Sequence, residues 1–239
     1  MPPRKITTRI AAARHTLSQL QHRVQATRTE LRKLQTDALT LRNPPEQTQL
    51  LRSAMDAQAS ALAAVTRLDT LAICLQRDAL TNTSNRALLL DRLHSAITLA
   101  RRRNCSAAVV FLDIDHFKQI NDTLGHATGD AVLQSVARRL QAAVRDSDTV
   151  CRHGGDEFLV LLAEVNKPAD AALIAKKIIA DMAAPSLVCG HTLQVSVSVG
   201  VALFPGDAGD AQSLIRLADA AMYCAKRQGG GRFCFHAGP

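Results

Sequence analysis

The sequence predicts an α/β sandwich on a mixed sheet, preceded by an all-α helical hairpin. Three observations lead there. Residues 6–76 carry a seven-residue apolar repeat interrupted at Asn43-Pro44-Pro45, as two long helices require. From Ser106 onward, short β-branched apolar runs alternate with amphipathic stretches of helical length, the pattern of strands layered under helices. One pair of these runs is separated only by Gly154-Gly155-Asp156, a link so tight that the two strands must be antiparallel.

The 239 residues leave room for one ordinary domain and an extension, and 47% hydrophobic content suffices for a core. Trp is absent and aromatic residues make up 3%, so that core is aliphatic. No apolar run approaches the roughly 20 residues of a membrane span, and no apolar signal core follows Met1-Pro-Pro-Arg-Lys5. The chain is therefore expected in the cytoplasm, without a membrane span. Six cysteines, Cys74, Cys105, Cys151, Cys189, Cys224 and Cys234, form no C-x-x-C pair. Most lie in apolar runs and are expected to act as small buried hydrophobes, with structural thiols favoured over zinc ligands or disulfides. The net charge of +8 is uneven: residues 1–77 hold 12 Lys+Arg against 5 Asp+Glu, and residues 78–239 hold 17 against 16. The N-terminal arginines are dispersed and no aromatics interleave with them, which favours a solvated helix face over a nucleic-acid surface.

Ile6, Ile10, Ala13, Leu17, Leu20, Val24, Leu31, Leu34, Ala38 and Leu41 form a seam interrupted at Thr27, predicting a first helix over about residues 6–41. Pro44 and Pro45 end it, because neither donates a helical N–H. A second helix is expected from near Glu46 to about Gln76, with the seam Leu51, Ala54, Ala61, Val65, Leu68, Ala72 and Leu75. Leu50, Ala57, Ala64 and Leu71 widen that seam on one flank, and Met55 and Leu62 on the other. Such width implies contact on more than one side, as inside a bundle. A parallel homodimer of the first helix would set Arg9 against Arg14 and Arg23 against Arg28, mildly repulsive pairs. An antiparallel hairpin that joins a second chain's hairpin in a four-helix bundle is preferred; a helix pair that merely spaces domains is the alternative. His15 and His22 lie outside the seam and are read as exposed polar positions.

The polar segment Arg77–Arg86 marks a boundary between a dimerising or regulatory region, residues 1–76, and a second domain, residues 77–239. A helix over 87–103 is followed by the run 106–115, rich in β-branched residues and ending on Asp113 and Asp115. That is the profile of a buried central strand with carboxylates at the edge where α/β ligand sites gather. A short helical turn over 116–124, a helix over about 128–145 and a strand over 148–152 lead into the Gly-Gly turn. A return strand over 157–162, a helix over 169–182, a Cys189-Gly190 turn, an alternating strand over 193–202, a helix over 211–227 and a C-terminal edge strand complete the domain.

Of Asp113 and Asp115, only one is expected to face the hairpin carboxylates. If that is Asp113, it converges with Asp156 and Glu157 in a hard-oxygen site suited to Mg²⁺ or Mn²⁺, an arrangement used in phosphoryl and nucleotidyl transfer. Lys118, one turn past the strand, is placed to neutralise phosphate charge. Gly154 and Gly155 let backbone amides approach a ligand, although a Gly-Gly-Asp turn taken alone suits a solvated hairpin tip equally well.

The stretch Phe111-Leu-Asp-Ile-Asp-His-Phe-Lys-Gln-Ile-Asn-Asp-Thr-Leu-Gly-His-Ala-Thr-Gly-Asp130, with Arg152-His-Gly-Gly-Asp-Glu-Phe158, resembles the GGDEF family of bacterial diguanylate cyclases. The resemblance runs from Asp78 to about Phe235 and implies a nucleotidyl-cyclase, palm-like domain. In that family two GTP molecules, one on each subunit of an antiparallel catalytic pair, are joined into cyclic di-GMP with loss of pyrophosphate. The resemblance makes Asp113, the Ile114 carbonyl, Asp156 and Glu157 metal-binding groups, with Asp156 also the candidate base and Glu157 a second acidic ligand. It makes Asn121 and Asp130 readers of the guanine edge, His126 a pocket wall, Lys118 a transition-state stabiliser and Lys226 a phosphate contact. Arg145-Asp-Ser-Asp148 lies where the family carries an R-x-x-D site for inhibition by cyclic di-GMP.

Two departures stand out. The family's D-x-L-T-G-L-x-N-R opening is here Asp78-Ala-Leu-Thr-Asn-Thr-Ser-Asn-Arg86, and Gly230 replaces the arginine usual four residues after Lys226. The second is expected to weaken GTP binding, and Gly230→Arg to improve it. A catalytically silent cyclic di-GMP receptor and a scaffold acting through its helices are the competing readings.

Overall fold

The computed structural model describes residues 22, 25–27, 29, 31–34, 36–37 and 44–236, leaving aside the side chains of residues 67–75. The chain divides into two compact units at Leu75/Gln76. In chain order the elements are α1 (Pro44–Leu75), α2 (Arg86–Arg103), β1 (Ser106–Ile114), α3 (Phe117–Leu124), α4 (His126–Ala143), β2 (Thr149–Gly154), β3 (Glu157–Val165), α5 (Pro168–Ala183), β4 (Ser186–Val188), β5 (His191–Leu193), β6 (Val197–Phe204), α6 (Ala211–Arg227) and β7 (Phe233–Phe235).

In the first unit, residues 25–27 and 31–34 are also helical. Thr27, Leu31 and Leu34 there, and Gln47, Leu50, Ala54, Ala57, Ala61 and Ala64 along α1, are the shielded positions. Their alternating spacing of three and four is a heptad seam. It follows one flank of the expected seam, where the small alanines sit, and leaves Leu51, Met55, Leu62 and Val65 exposed at 46, 70, 67 and 36%. Helix α1 starts at Pro44 rather than near Glu46, because prolines fit a first turn whose N–H groups need no partner. His22 is exposed. Arg9, Arg14, His15, Arg23 and Arg28, on which the pairing arguments turned, lie outside the described residues.

In the second unit, β1 is apolar on both faces. Ala108, Val110, Leu112 and Ile114 pack into one cluster with α4 and α5; Ala107, Val109 and Phe111 pack into another with α2 and α6. A strand with no polar face is satisfied only at the middle of a covered sheet, and the order is β2-β3-β1-β6-β7. Its pairs are antiparallel except β6–β7, so the mixed α/β sandwich is as expected. The expected strand over 193–202 is two elements. β5 turns back on β4 through Cys189 and Gly190 at φ 49 and 82, the positive-φ pair of a tight hairpin, and β6 begins at Val197.

Helix α6 lies directly on β6. A Cβ at Gly200 would stand 2.0 Å from the Ala218 carbonyl and 2.1 Å from the Met222 amide nitrogen, so only glycine lets the helix come this close. Gly200→Ala should cost at least about 3 kcal/mol, the upper part of the range for forced overpacking, seen as a lowered urea midpoint of the full chain. An unchanged midpoint would contradict this packing.

Candidate active site

The site begins with alternation along β1. Asp113 follows Phe111 on the α2/α6 face, and it is buried at 6% exposure. Its register partners are Glu157 on β3 and Ser198 on β6. Helix α6, held close at Gly200, supplies Lys226, whose Nζ lies 2.6 Å from Asp113 Oδ1. The ammonium thus meets the buried carboxylate directly, as an ion pair.

Negative charge exceeds positive here. Burial pushes the Asp113 carboxyl above its ordinary range; Lys226 pulls it back, while Asp156 and Asp115 push it further. Burial likewise raises the Glu157 carboxyl, helped by Asp113, Asp219 and Asp156 and opposed by Lys226. Among the described residues no three His, Cys, Asp or Glu side chains stand ready around one metal position. Mg²⁺, however, takes only one or two carboxylates and fills its shell with water and phosphate oxygens. A hard-oxygen donor set, a surplus of carboxylates and one ammonium in contact with the buried member together fit such a cation.

Asp115 behaves differently from Asp113. Residues two apart share a face on a regular strand, but β1 stops at Ile114 and His116 turns left-handed at φ 57. Even so, Asp115 stays on the Asp113 face: its amide extends the ladder to the Ser196 carbonyl at 2.9 Å, and its carboxylate accepts from Ser196 Oγ (2.6 Å), Ser198 Oγ (2.6 Å) and the Gly231 amide (3.0 Å). It is a brace for the C-terminal glycine loop. This corrects the expectation for Gly230→Arg: Gly230 has φ +71, and a Cβ there would stand 2.7 Å from Asp115 Oδ2. Any side chain would strain the brace, so the substitution cannot restore a simple basic contact. The side chain of Ile114 belongs to the core on the opposite face, leaving only its backbone for a ligand.

The hairpin tip is set by Gly155 at φ 56. A Cβ at Gly154 would meet nothing within 4 Å, so the protein's own packing gives no reason for glycine there. Arg152 holds the tip, donating from Nε and Nη2 to the Gly155 carbonyl at 2.9 and 2.7 Å, while its Nη1 reaches Asp78 Oδ1 at 3.3 Å. Burial works to raise the Asp78 carboxyl, but the Thr81 hydroxyl and amide and the Arg152 guanidinium outweigh it and hold the pKa below the usual range. Asn82, in place of the family's glycine, adopts φ 55, a left-handed conformation that Asn tolerates. Thr83 is fully buried and its Oγ1 accepts from the Arg152 amide. The altered opening thus keeps its turn. Sequence reasoning missed this clasp because Asp78 and Arg152 are 74 positions apart. It also missed His153, which stacks edge-on against Phe111 at 5.4 Å and is held below its ordinary pKa by burial and by Arg86.

Three residues past β1, α3 carries Lys118, exposed in its first turn, and Asn121. A Cβ on Gly129 would stand 1.9 Å from Asn121 Oδ1. The carboxamide therefore rests on the first turns of α4, beside Asp130, which is exposed, as is His126. The structure thus groups Asp113, Asp156, Glu157 and Lys226 around one strand end, and Asn121 with the Gly129-Asp130 turn. Arg145 and Asp148 line a separate cavity with Leu162, Glu164, Asn166 and Leu173. Asp148 accepts from the amides of Arg145 and Ala163, at 3.1 Å each, which leaves the exposed guanidinium of Arg145 to solvent.

A family model described as "Diguanylate cyclase, GGDEF domain" matches residues 75–232. The diguanylate cyclase TpbB of Pseudomonas aeruginosa is 48% identical over 155 residues, 64% of this chain and 36% of that protein. The structure of the coiled coil and GGDEF domain of DgcB from Caulobacter crescentus, in complex with c-di-GMP, is similar at 29% identity and TM-score 0.71, covering 78% of this chain and 98% of that one. That of the P. aeruginosa diguanylate cyclase SiaD with its activator SiaC matches at 30% identity and TM-score 0.63, covering 97% of this chain and 87% of that one. The chain spans only 19% to 36% of the length of such curated relatives.

The raised carboxyls set a pH dependence. With folded pKa values above the unfolded ones, Asp113 and Glu157 contribute stability that is complete below the unfolded pKa and lost as pH rises through the folded one. A divalent cation offsets that loss. Mg²⁺ should therefore raise the melting temperature at about pH 7.5 and do so much less near pH 4, where carboxyls begin to protonate. Asp113→Asn should blunt the response. A wild-type melting temperature indifferent to Mg²⁺ at the higher pH would count against a cation site.

Proposed function

The chain belongs to the GGDEF-domain diguanylate cyclase family, and on that premise we propose that it condenses two GTP molecules into cyclic di-GMP, releasing pyrophosphate. The observation that carries the proposal is the surplus of carboxylates around buried Asp113, countered within contact, among the described residues, by Lys226. Asp113, the Ile114 carbonyl, Asp156 and Glu157 would hold Mg²⁺ or Mn²⁺, which when bound supplies Lewis-acid charge at the phosphates. In this reading the Lys226 ammonium balances Asp113 in the resting protein and turns to phosphate when GTP and cation arrive.

Each 3′-hydroxyl oxygen attacks the other nucleotide's α-phosphorus; the bond to the β-phosphate bridge breaks, and pyrophosphate leaves with the electron pair. Asp156 takes the hydroxyl proton. Lys118 neutralises charge growing on the phosphate. Asn121 and Asp130 read guanine, whose edge offers a donor to a carboxylate and an acceptor to an amide, and His126 lines the pocket. The open space above Gly154 and Gly155 admits the nucleotide. Arg145 and Asp148 hold cyclic di-GMP as an inhibitor, with the free guanidinium available for phosphate or for stacking on guanine.

Two active sites must meet, so the chain works as a homodimer. The exposed stripe Leu51, Met55, Leu62 and Val65 on α1 suits helix pairing with a second copy. The likeness to SiaD over 97% of the chain supports a place in residues 1–76 where an input acts. GTP as substrate puts the domain in the cytoplasm. A silent cyclic di-GMP receptor is the second reading, favoured only by the built R-x-x-D cavity.

Purified protein given GTP and Mg²⁺ should yield cyclic di-GMP and pyrophosphate, resolved by chromatography. Asp156→Asn should cut turnover by at least about a hundredfold, the lower range for loss of a proton-transfer group. Cyclic di-GMP bound but never made would select the receptor. Removing residues 1–70 should make activity depend steeply on concentration, because the half-sites then meet only by diffusion; equal activity on dilution would remove the helices from the mechanism.

A further inference from the structure

The expectation that most of the cysteines are buried fillers holds for Cys151; Cys105 is half-buried, Cys189 is exposed in its turn, and at the C-terminal end of the domain Cys224 is exposed and Cys234 half-buried. Their placement follows from the sheet. On β7, Phe233 and Phe235 pack with the α4/α5 cluster, so Cys234 between them points to the other face, where α6 lies. Cys234 pairs in register with Gly200, the residue on which α6 rests, and the last turns of α6 carry Cys224. Burial, and then a hydrogen bond between the Cys224 and Cys234 side chains, push the Cys234 thiol up. Gln228 Nε2 points at Cys224 Sγ from 3.3 Å.

We propose that Cys224 and Cys234 form a redox-sensitive thiol pair that closes to a disulfide under a peroxide and fixes the end of α6 to β7. Exposed Cys224 meets the peroxide first. Its sulfur takes one oxygen to become a sulfenic acid as the O–O bond breaks, and one water leaves. The Cys234 sulfur then attacks, the S–S bond forms, and the sulfenic oxygen departs as a second water, carrying the protons of the thiols. Two electrons pass from the sulfurs to one peroxide. Disulfides that form in reducing compartments are mostly of this transient, sensing kind.

The segment bridged by this bond contains Lys226 and the loop Gly229-Gly230-Gly231, whose last amide is held by Asp115. Closing it pins Lys226 in its contact with Asp113 at 2.6 Å and opposes the turn toward phosphate. The consequence for turnover rests on the proposed cyclase function; the chemistry of the pair does not.

The full chain is treated with hydrogen peroxide, quenched, digested without reductant and analysed by mass spectrometry, with turnover of GTP followed in parallel. The expected result is one peptide pair linked through Cys224 and Cys234, reversed by dithiothreitol. Turnover should fall at least fivefold in step with the link and recover on reduction, while Cys224→Ser, as active as reduced wild type, resists. Sulfinic acid at Cys224 with a free Cys234 thiol, or links only between Cys189 residues of two chains, overturns the pair. A complete link with unchanged turnover overturns its control of Lys226. Reduced protein that makes no cyclic di-GMP, yet forms the link, overturns the cyclase reading and upholds the thiol pair.

Discussion

A carboxylate has been buried at the end of a strand that is otherwise apolar on both faces, and the arrangement around it depends on how its charge is met. Asp113 ionises against the cost of burial. The Lys226 ammonium compensates it at contact distance. Glu157 and Asp156, adjacent through the β1–β3 register and the hairpin, make the same region costlier to leave uncompensated. A site so arranged favours a small cation of high charge and, with it, the anionic phosphates that share that cation.

Positioning is done by groups that touch no ligand. Gly200 sets how near α6 comes to the sheet, and so where Lys226 ends. Arg152 ties the Gly155 carbonyl to Asp78, fixing the turn that carries Asp156. Asp115, with its hydroxyl and amide donors, holds the glycine loop behind Lys226. Arg152 and Asp115 do so through polar contacts, in part shielded from solvent, where a mobile loop would otherwise blur the spacing of charges.

Much of this was legible beforehand, for local reasons. The β-branched run of β1, the hairpin around Gly154-Gly155 and the helix ending at Arg227 are set by short-range periodicity. Asp113, Asp156 and Glu157 could be grouped because they stand at the ends of neighbouring strands. The Asp113–Lys226 and Asp78–Arg152 pairs could not, since each joins segments far apart in the chain and no spacing rule links them. Asp113 and Asp115 were read as facing different ways, whereas residues two apart share a face and both meet Ser198; what separates them is that Ser196 and the glycine loop engage Asp115. Gly230 looked like a lost arginine, whereas its positive φ and the carboxylate beside it make glycine the residue the loop needs. The cysteines looked alike in sequence, and only the facing of β7 separates Cys234 from a core filler.

The central claim is that the Asp113 carboxylate exchanges its ammonium partner for a metal-bound triphosphate. A crystal structure of the full chain grown with Mg²⁺ and a GTP analogue resistant to cleavage tests this most directly. Mg²⁺ is expected against Asp113, with Lys226 Nζ withdrawn from its 2.6 Å contact onto a phosphate oxygen. A nucleotide bound elsewhere, with Lys226 still paired to Asp113, would contradict it.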